Sequence, residues 1–262
     1  MNFHKIPVSK GIQTHGLWLK GVFFALLAVV LIGCAGQKET MGQRDPKELY
    51  DAAVSAYVGE RYEEAETAFK KLMEDYPLSR YSTEAQLMLG DVYYSTEKYD
   101  DAGSYYTNFA ALHPSHPKAP YALFQKGMSH FKDVLSVDRD QTSTKKALFA
   151  FEDLTAIYPD SAYTVKAREL KVFLKNRLAE REFYVARFYY KSKNYKGALG
   201  RFRDILKNFP DTDFIDTSLY YIGESYIKLG EKKLAEEAYS TLISNFPNSP
   251  FLQGAKDRLK ES

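Results

Sequence analysis

The stretch YEEAETAFKKLMEDYP, residues 62–77, decides the fold. Its apolar residues Ala65, Phe69 and Leu72 recur three or four positions apart, which puts them on one face of a helix. Pro77 then ends that helix, because proline has no N–H to donate and its ring clashes with the preceding turn. The stretch therefore predicts an amphipathic helix that stops at an aromatic–proline pair.

The same pattern returns along the chain. Successive prolines are 37, 45, 51 and 37 residues apart, and the spacing of 37 that occurs twice is close to the period of about 34 residues that is typical of tetratricopeptide repeats. Before each aromatic–proline pair, the apolar stretch contains one small residue, which lets two helices approach closely. Each repeat of the pattern therefore predicts two packed helices. The pairs are Tyr76-Pro77, His113-Pro114, Tyr158-Pro159, Phe209-Pro210 and Phe246-Pro247, and the small residues are Ala53, Gly90, Gly127, Ala186 and Gly223.

These units resemble the tetratricopeptide repeat family, which implies an all-α fold. We expect a right-handed superhelical array of about five helix pairs over residues 46–247, a C-terminal capping helix over 249–260 and no β-strand. Two departures interrupt the period. Eight extra residues fall between the helices of the third pair, within 132–146, and fourteen precede the fourth pair. Because residues 162–190 contain no proline or glycine, the second departure predicts one long helix.

The start of the chain has the features of an export signal. Residues 1–33 carry three lysines, no acidic residue and an unbroken apolar run at 22–32, which is too short to span a bilayer as a helix. The run leads into Cys34, the only cysteine, in a sequence that resembles the bacterial lipobox. The resemblance implies cleavage before Cys34 and a covalent diacylglycerol and N-acyl chain on it, and Ala35 favours delivery to the outer membrane. The alternative is a buried cysteine in a short anchor helix.

Removal of the leader leaves an aperiodic polar tether over 34–45 and a mature chain with 33 basic and 34 acidic residues. A single cysteine excludes an internal disulfide framework and a multi-cysteine zinc site. The export signal argues against nucleic acid as a partner. We therefore expect a lipid-anchored protein on the periplasmic face of the outer membrane.

Charge is segregated along the mature chain. Residues 45–112 hold 14 acidic and six basic side chains, whereas residues 164–208 hold 13 basic and four acidic ones. Solvated helix faces are one interpretation, but this contrast favours different partners for an acidic half, 46–160, and a basic half, 161–262. Anionic lipid head groups remain an alternative ligand for the basic half. We predict partner docking at Arg187, Lys191, Arg201 and Arg203.

No motif in the chain predicts catalysis. It has no glycine-rich phosphate loop, no Gly-x-Ser-x-Gly and no His-Glu-x-x-His. His113 and His116 lie in a proline-rich loop, and Asp138 and Asp140 flank an arginine, so surface loops are a better interpretation than metal sites. We expect a protein that is not an enzyme and needs no metal or cofactor.

The tetratricopeptide resemblance also implies where a ligand would lie. In that family the first helix of each pair lines a groove, and an aromatic groove suits an extended or helical peptide. The alternative is that these side chains only pack between helices. The predicted groove residues are Tyr50, Val54, Tyr57, Leu87, Asp91, Tyr94, Phe124, Met128 and Phe131.

Four further stretches carry a more specific resemblance: YPLSRY at 76–81, APYAL at 119–123, VDRD at 137–140 and FLKNRLA at 173–179. With the leader and repeats, they resemble the BamD family of outer-membrane protein assembly lipoproteins. The resemblance implies that the N-terminal repeats bind unfolded outer-membrane proteins through a terminal signal that ends in an aromatic residue. It implies that the C-terminal repeats dock on the periplasmic domains of the barrel subunit BamA, and in some members a further assembly lipoprotein also binds.

Two other classes of protein would use a similar repeat array. One is a periplasmic adaptor related to the Tol-Pal coordinator, which typically has a coiled coil before its repeats and no lipobox. The other is a scaffold for the cell wall. Only about ten residues separate Cys34 from the first repeat here, so the assembly family is favoured.

Overall fold

The computed structural model describes residues 45–261, and the leader, Cys34 and most of the tether lie outside that range. The described chain is all α-helical, with each helix packed on the next, and residues from Pro46 onward form one compact unit. The predicted all-α tetratricopeptide-like array is confirmed. Its helices are α1 (Pro46–Val58), α2 (Tyr62–Asp75), α3 (Arg80–Ser95), α4 (Tyr99–Leu112), α5 (Ala119–Lys132), α6 (Thr142–Ile157), α7 (Ala162–Lys191), α8 (Tyr195–Asn208), α9 (Ile215–Leu229), α10 (Lys232–Asn245) and α11 (Leu252–Glu261).

The predicted close approach within helix pairs is present. A Cβ built on Gly90 of α3 would lie 2.7 Å from Cε1 of Tyr106 on α4, and one built on Gly223 of α9 would lie 2.4 Å from Cε1 of Tyr239 on α10. Both rings are almost fully buried. The aromatic ring of the second helix therefore fills the space that a side chain on the first helix would occupy.

Tight turns join the two helices in four of the five pairs. Each turn contains one residue in the left-handed region: Glu60 at φ 58°, Glu97 at 61°, Lys193 at 60° and Gly230 at 81°. A left-handed residue reverses the chain within a few positions and lets the second helix fold back on the first. The third pair differs because its helices are joined by the predicted insertion.

The insertion and the long helix contact each other. Helix α7 spans 30 residues, which confirms the predicted long helix. Arg181 on α7 donates a hydrogen bond from Nη1 to the Val137 carbonyl at 2.9 Å. Inside the loop, the buried side chain of Gln141 donates to the carbonyls of Ser136 and Arg139 at 3.0 and 3.1 Å. The insertion loop and the long helix, which account for the two departures from the repeat period, therefore contact each other in the structure.

The hydrophobic core of the array consists of two clusters. The first runs from Ala53 to Leu178 and the second from Ala179 to Ala255, so they meet inside α7. The sequence-based division at 160/161 falls just before this helix. The N-terminal part of α7 therefore packs on the third helix pair, and its C-terminal part is the first helix of the fourth pair.

The predicted capping helix begins later than expected. We predicted a helix over 249–260, whereas α11 is Leu252–Glu261. The Ser249 hydroxyl accepts a hydrogen bond from the Phe251 backbone N–H at 3.1 Å, which stabilises a turn before the helix. Ala255 of α11 is fully buried, so this last helix closes the second cluster.

Candidate functional site

The first helices of the N-terminal pairs lie side by side and form an aromatic face. The rings of Tyr50 on α1 and Tyr81 on α3 are 5.6 Å apart, and those of Phe124 on α5 and Tyr163 on α7 are 5.4 Å apart. The Tyr57 hydroxyl lies 3.2 Å from the hydroxyl of Ser95 on α3. These contacts join successive first helices, which is the arrangement that a groove along the array requires.

Most predicted groove residues lie on this face with part of the side chain exposed. The aromatic members of this set have a second role, because their rings pack on a neighbouring helix. Tyr57 lies 5.9 Å from Tyr62, and Tyr94 lies 5.5 Å from Tyr99. The residues that keep partial exposure are Tyr50, Val54, Tyr57, Asp91, Tyr94, Phe124, Met128 and Phe131.

Leu87 does not belong to this set. It is 1% exposed and belongs to the hydrophobic core, so the prediction that it lines the groove is wrong. The reason is its helix: α3 packs against α1, α2 and α4, and seven of its 16 residues are buried, against two of 13 in α1. Helical spacing alone did not indicate how much of α3 its neighbours cover.

A carboxylate forms the polar centre of the aromatic face. Tyr106 on α4 and Tyr121 on α5 both donate a hydrogen bond to Oδ1 of Asp91, each at 2.7 Å. Burial raises the pKa of Asp91, and the two hydroxyl donors partly oppose that rise. Gln125 Nε2 lies 3.2 Å from the Tyr121 hydroxyl and donates to it. Tyr121 was missed from sequence, although it lies in the APYAL stretch.

A second polar group borders the aromatic face near Tyr50. Glu84 on α3 accepts a hydrogen bond from Lys118 Nζ at 2.8 Å and lies 3.5 Å from Nε2 of His116. Together with Tyr50 and Tyr81 these residues line a pocket of about 540 Å³. The loop after Pro114 therefore packs back on α3, a contact between distant segments that no local pattern indicated.

The predicted docking residues Arg187 and Lys191 lie together. They are one turn apart on α7 and line a pocket of about 430 Å³ with Tyr184, Phe188 and Val137. The Phe188 side chain is 65% exposed and that of Tyr184 is 52% exposed. This basic aromatic patch, defined by Tyr184, Arg187, Phe188 and Lys191, lies beside the insertion loop.

The other two predicted docking residues lie elsewhere. Arg201 forms an ion pair with Glu182 at 3.1 Å, whereas Arg203 donates a hydrogen bond to the Tyr226 hydroxyl and lies over that ring. Residues two apart on a helix do not face the same way. Arg187 and Lys191 therefore line a pocket that Arg201 and Arg203 do not, and docking at Arg201 and Arg203 stays a prediction.

The loop residues that we considered as metal ligands have local contacts. The Asp138 carboxylate accepts from the Ser136 hydroxyl at 2.5 Å, and Asp140 accepts from the Thr142 backbone N–H at 2.9 Å. Within residues 45–261, no three or more His, Cys, Asp or Glu side chains are grouped to hold a metal ion. Over the same range, no helix combines the length and the apolar character that crossing a bilayer requires.

Comparison with known proteins places this chain in a family. A family model described as YfiO, an outer membrane lipoprotein, matches residues 42–241. The outer membrane protein assembly factor BamD of Caulobacter vibrioides is 31% identical over 218 residues, which cover 81% of this chain and 70% of that protein.

Two further relatives match over most of their length. BamD of Neisseria meningitidis serogroup A is 31% identical over 245 residues, covering 87% of this chain and 92% of that protein. BamD of Rickettsia prowazekii is 30% identical over 228 residues, covering 86% and 90%. The chain therefore belongs to the YfiO family of outer membrane lipoproteins, together with the assembly factors named BamD.

Proposed function

We propose that this protein is a non-catalytic lipoprotein subunit of the machinery that assembles β-barrel proteins into the outer membrane. Family membership supports this role over the adaptor and cell-wall scaffold alternatives, because the relatives are named outer membrane protein assembly factors. The observation that carries the proposal is the aromatic face on α1, α3 and α5, with a hydrogen-bonded carboxylate at its centre. Such a face suits a polypeptide ligand.

The protein is held at the periplasmic face of the outer membrane through Cys34. Each CH₂ of an acyl chain that enters the bilayer contributes about 0.8 kcal/mol, and two or more chains anchor a protein stably. The polar tether between Cys34 and α1 then separates the helical array from the membrane surface.

The aromatic face binds unfolded outer-membrane proteins. Their terminal signal carries aromatic side chains, which can pack on the partly exposed rings of Tyr57, Tyr94 and Phe131. Partly exposed aromatic rings bury a large apolar area at little cost in side-chain entropy, because each has only two rotatable bonds.

The basic aromatic patch on α7 docks on the periplasmic domains of a BamA-like barrel subunit. Arg187 and Lys191 can attract an acidic partner, and the exposed Phe188 beside them can be buried in the interface. Further assembly lipoproteins are partners of the N-terminal pairs.

Site-specific photocrosslinking tests the substrate face. A photoreactive phenylalanine analogue placed at Tyr94, in the full chain in cells, should crosslink to newly exported outer-membrane proteins. The matched control is Leu112, which is 68% exposed on α4, a second helix of a pair. Crosslinking that is equal at both positions, or that is absent at Tyr94, would contradict substrate binding on this face.

A further inference from the structure

Two carboxylates occupy equivalent places in the array but have different partners. A shift of 133 residues carries the second helix pair onto the fifth, and it aligns Asp91 with Glu224 and Tyr106 with Tyr239. The equivalence holds in the structure, because Tyr239 donates to Oε1 of Glu224 at 2.7 Å, just as Tyr106 donates to Oδ1 of Asp91.

Glu224 is neutralised by an arginine from the next helix. Arg258 on α11 donates from Nε to Oε1 at 2.7 Å and from Nη2 to Oε2 at 3.2 Å. Both carboxylate oxygens of this buried side chain are thus satisfied, and the charge has a counterion. A buried carboxylate that is paired at two points is the arrangement expected of a stable structural contact.

Asp91 has no such counterion. The same shift aligns Gln125 with Arg258, and Gln125 bonds to the Tyr121 hydroxyl rather than to the carboxylate. Tyr106 and Tyr121 both reach Oδ1, so within residues 45–261 no donor is assigned to Oδ2. Lys118 acts on Asp91 electrostatically, but its ammonium is bound to Glu84.

We propose that Asp91 forms a subsite for a guanidinium or ammonium group of the bound polypeptide, which takes the place that Arg258 takes at Glu224. The proposal rests on the substrate role of the aromatic face and adds a chemical preference to it. A partly buried carboxylate without a counterion is costly in the free protein, and a basic side chain flanked by aromatic residues removes that cost when it binds. Apolar contacts supply affinity for the aromatic residues, whereas Asp91 selects a basic residue at one position.

Paired peptides test this preference on the full chain purified in detergent. The probes are fluorescein-labelled ten-residue peptides of alternating Tyr and Thr that end in Phe, with one arginine placed at each position in turn. Each has a partner in which neutral citrulline replaces arginine. Fluorescence anisotropy should show at least one register in which arginine binds about tenfold more tightly than citrulline.

Three variants distinguish the subsite from other effects. Asp91→Asn keeps an oxygen acceptor for the two tyrosines but removes the charge, so the preference for arginine should disappear while the citrulline peptides still bind. Gln125→Arg should also abolish the preference, because it supplies in the chain the arginine that Arg258 supplies at the other site. Glu224→Gln, at the equivalent position, should leave the preference unchanged.

The outcomes separate this inference from the proposed function. Equal affinity for arginine and citrulline in every register, or a preference that survives both Asp91→Asn and Gln125→Arg, would overturn the subsite and leave the aromatic groove standing. A lack of binding by every peptide would contradict the groove, and the subsite with it. If Asp91→Asn fails to fold, as judged by circular dichroism, Gln125→Arg carries the test.

Discussion

Gly127 on α5 and Phe151 on α6 are packed so closely that a Cβ on the glycine would lie 2.4 Å from Cε1 of the ring. Phe151 is fully buried, and its ring lies 5.8 Å from that of Phe124, which in turn lies 5.4 Å from the ring of Tyr163 on α7. The contact therefore holds together the part of the array where the aromatic face ends and the long helix begins.

Gly127→Ala should destabilise the protein. The added methyl group overlaps a fully buried ring, and overpacking of this kind typically costs about 1–3 kcal/mol. Urea unfolding followed by circular dichroism measures the change in the free energy of unfolding.

The matched control is Gly200→Ala on α8. A Cβ at Gly200 meets no atom within 4 Å, and alanine favours the helix by roughly 0.5–1 kcal/mol over glycine. This variant should be as stable as the parent or more stable. A Gly127→Ala protein that matches Gly200→Ala in stability would show that the close approach of α5 and α6 is not required.

The stability of the array should fall on mild acidification because of His130. Burial lowers the pKa of His130, and Lys146 and Lys126 lower it further, whereas Asp100 and Asp133 act in the opposite direction. The unfolded chain therefore binds the proton at a higher pH than the folded chain does. Stability is lost as the pH falls through the unfolded value of about 6.5 towards the lower folded value.

His130→Gln removes this source of pH dependence. Free energies of unfolding measured at pH 7.5 and 5.5 should differ less in the variant than in the parent protein, because glutamine does not titrate. An identical difference in the two proteins would contradict a neutral, half-buried His130.

Reversal of charge on the basic aromatic patch should release the barrel partner. The double change Arg187→Glu with Lys191→Glu places two carboxylates beside Phe188, so an acidic partner is repelled. Pull-down from detergent-solubilised membranes should recover at least about tenfold less barrel subunit. The matched control is Lys232→Glu with Lys233→Glu, which reverses two exposed charges on α10 outside this pocket and should retain the partner. Equal recovery with both variants would argue that the patch is only solvated.

Cys34→Ser should release the protein from the membrane or leave it unprocessed. A serine hydroxyl does not accept the thioether-linked diacylglycerol, and within residues 45–261 no helix is suited to span a bilayer in its place. Fractionation of cells and the mass of the product measure the effect. A processed Cys34→Ser protein that stays in the membrane fraction would contradict the lipid anchor.

Much of the fold could be predicted from local pattern. The aromatic–proline period predicts the helix pairs, and in the second, third and fifth pairs a glycine of the first helix contacts a ring of the second helix. The length of α7 was predictable because nothing between residues 162 and 190 interrupts a helix. Both features depend on residues that are close in sequence, and in a repeat array each helix packs mainly on the helices that precede and follow it.

The contacts that shape the candidate site cross between elements and escaped prediction. Tyr121 reaches Asp91 across 30 residues, and Arg181 reaches Val137 across 44. Leu87 shows the converse error, because its spacing is that of a groove residue while its neighbours bury it. Helical periodicity reports which face a residue lies on, but the coverage of that face depends on how many helices pack there.

Co-purification from native outer membranes tests the central claim most directly. The full chain, tagged at its C-terminus and expressed at its normal level, would be isolated in mild detergent and its partners quantified by mass spectrometry. The proposed role predicts a BamA-like barrel subunit among the most abundant partners, in amounts comparable to the tagged protein. Recovery of the lipidated protein without any barrel subunit of that kind would contradict the assignment to the assembly machinery.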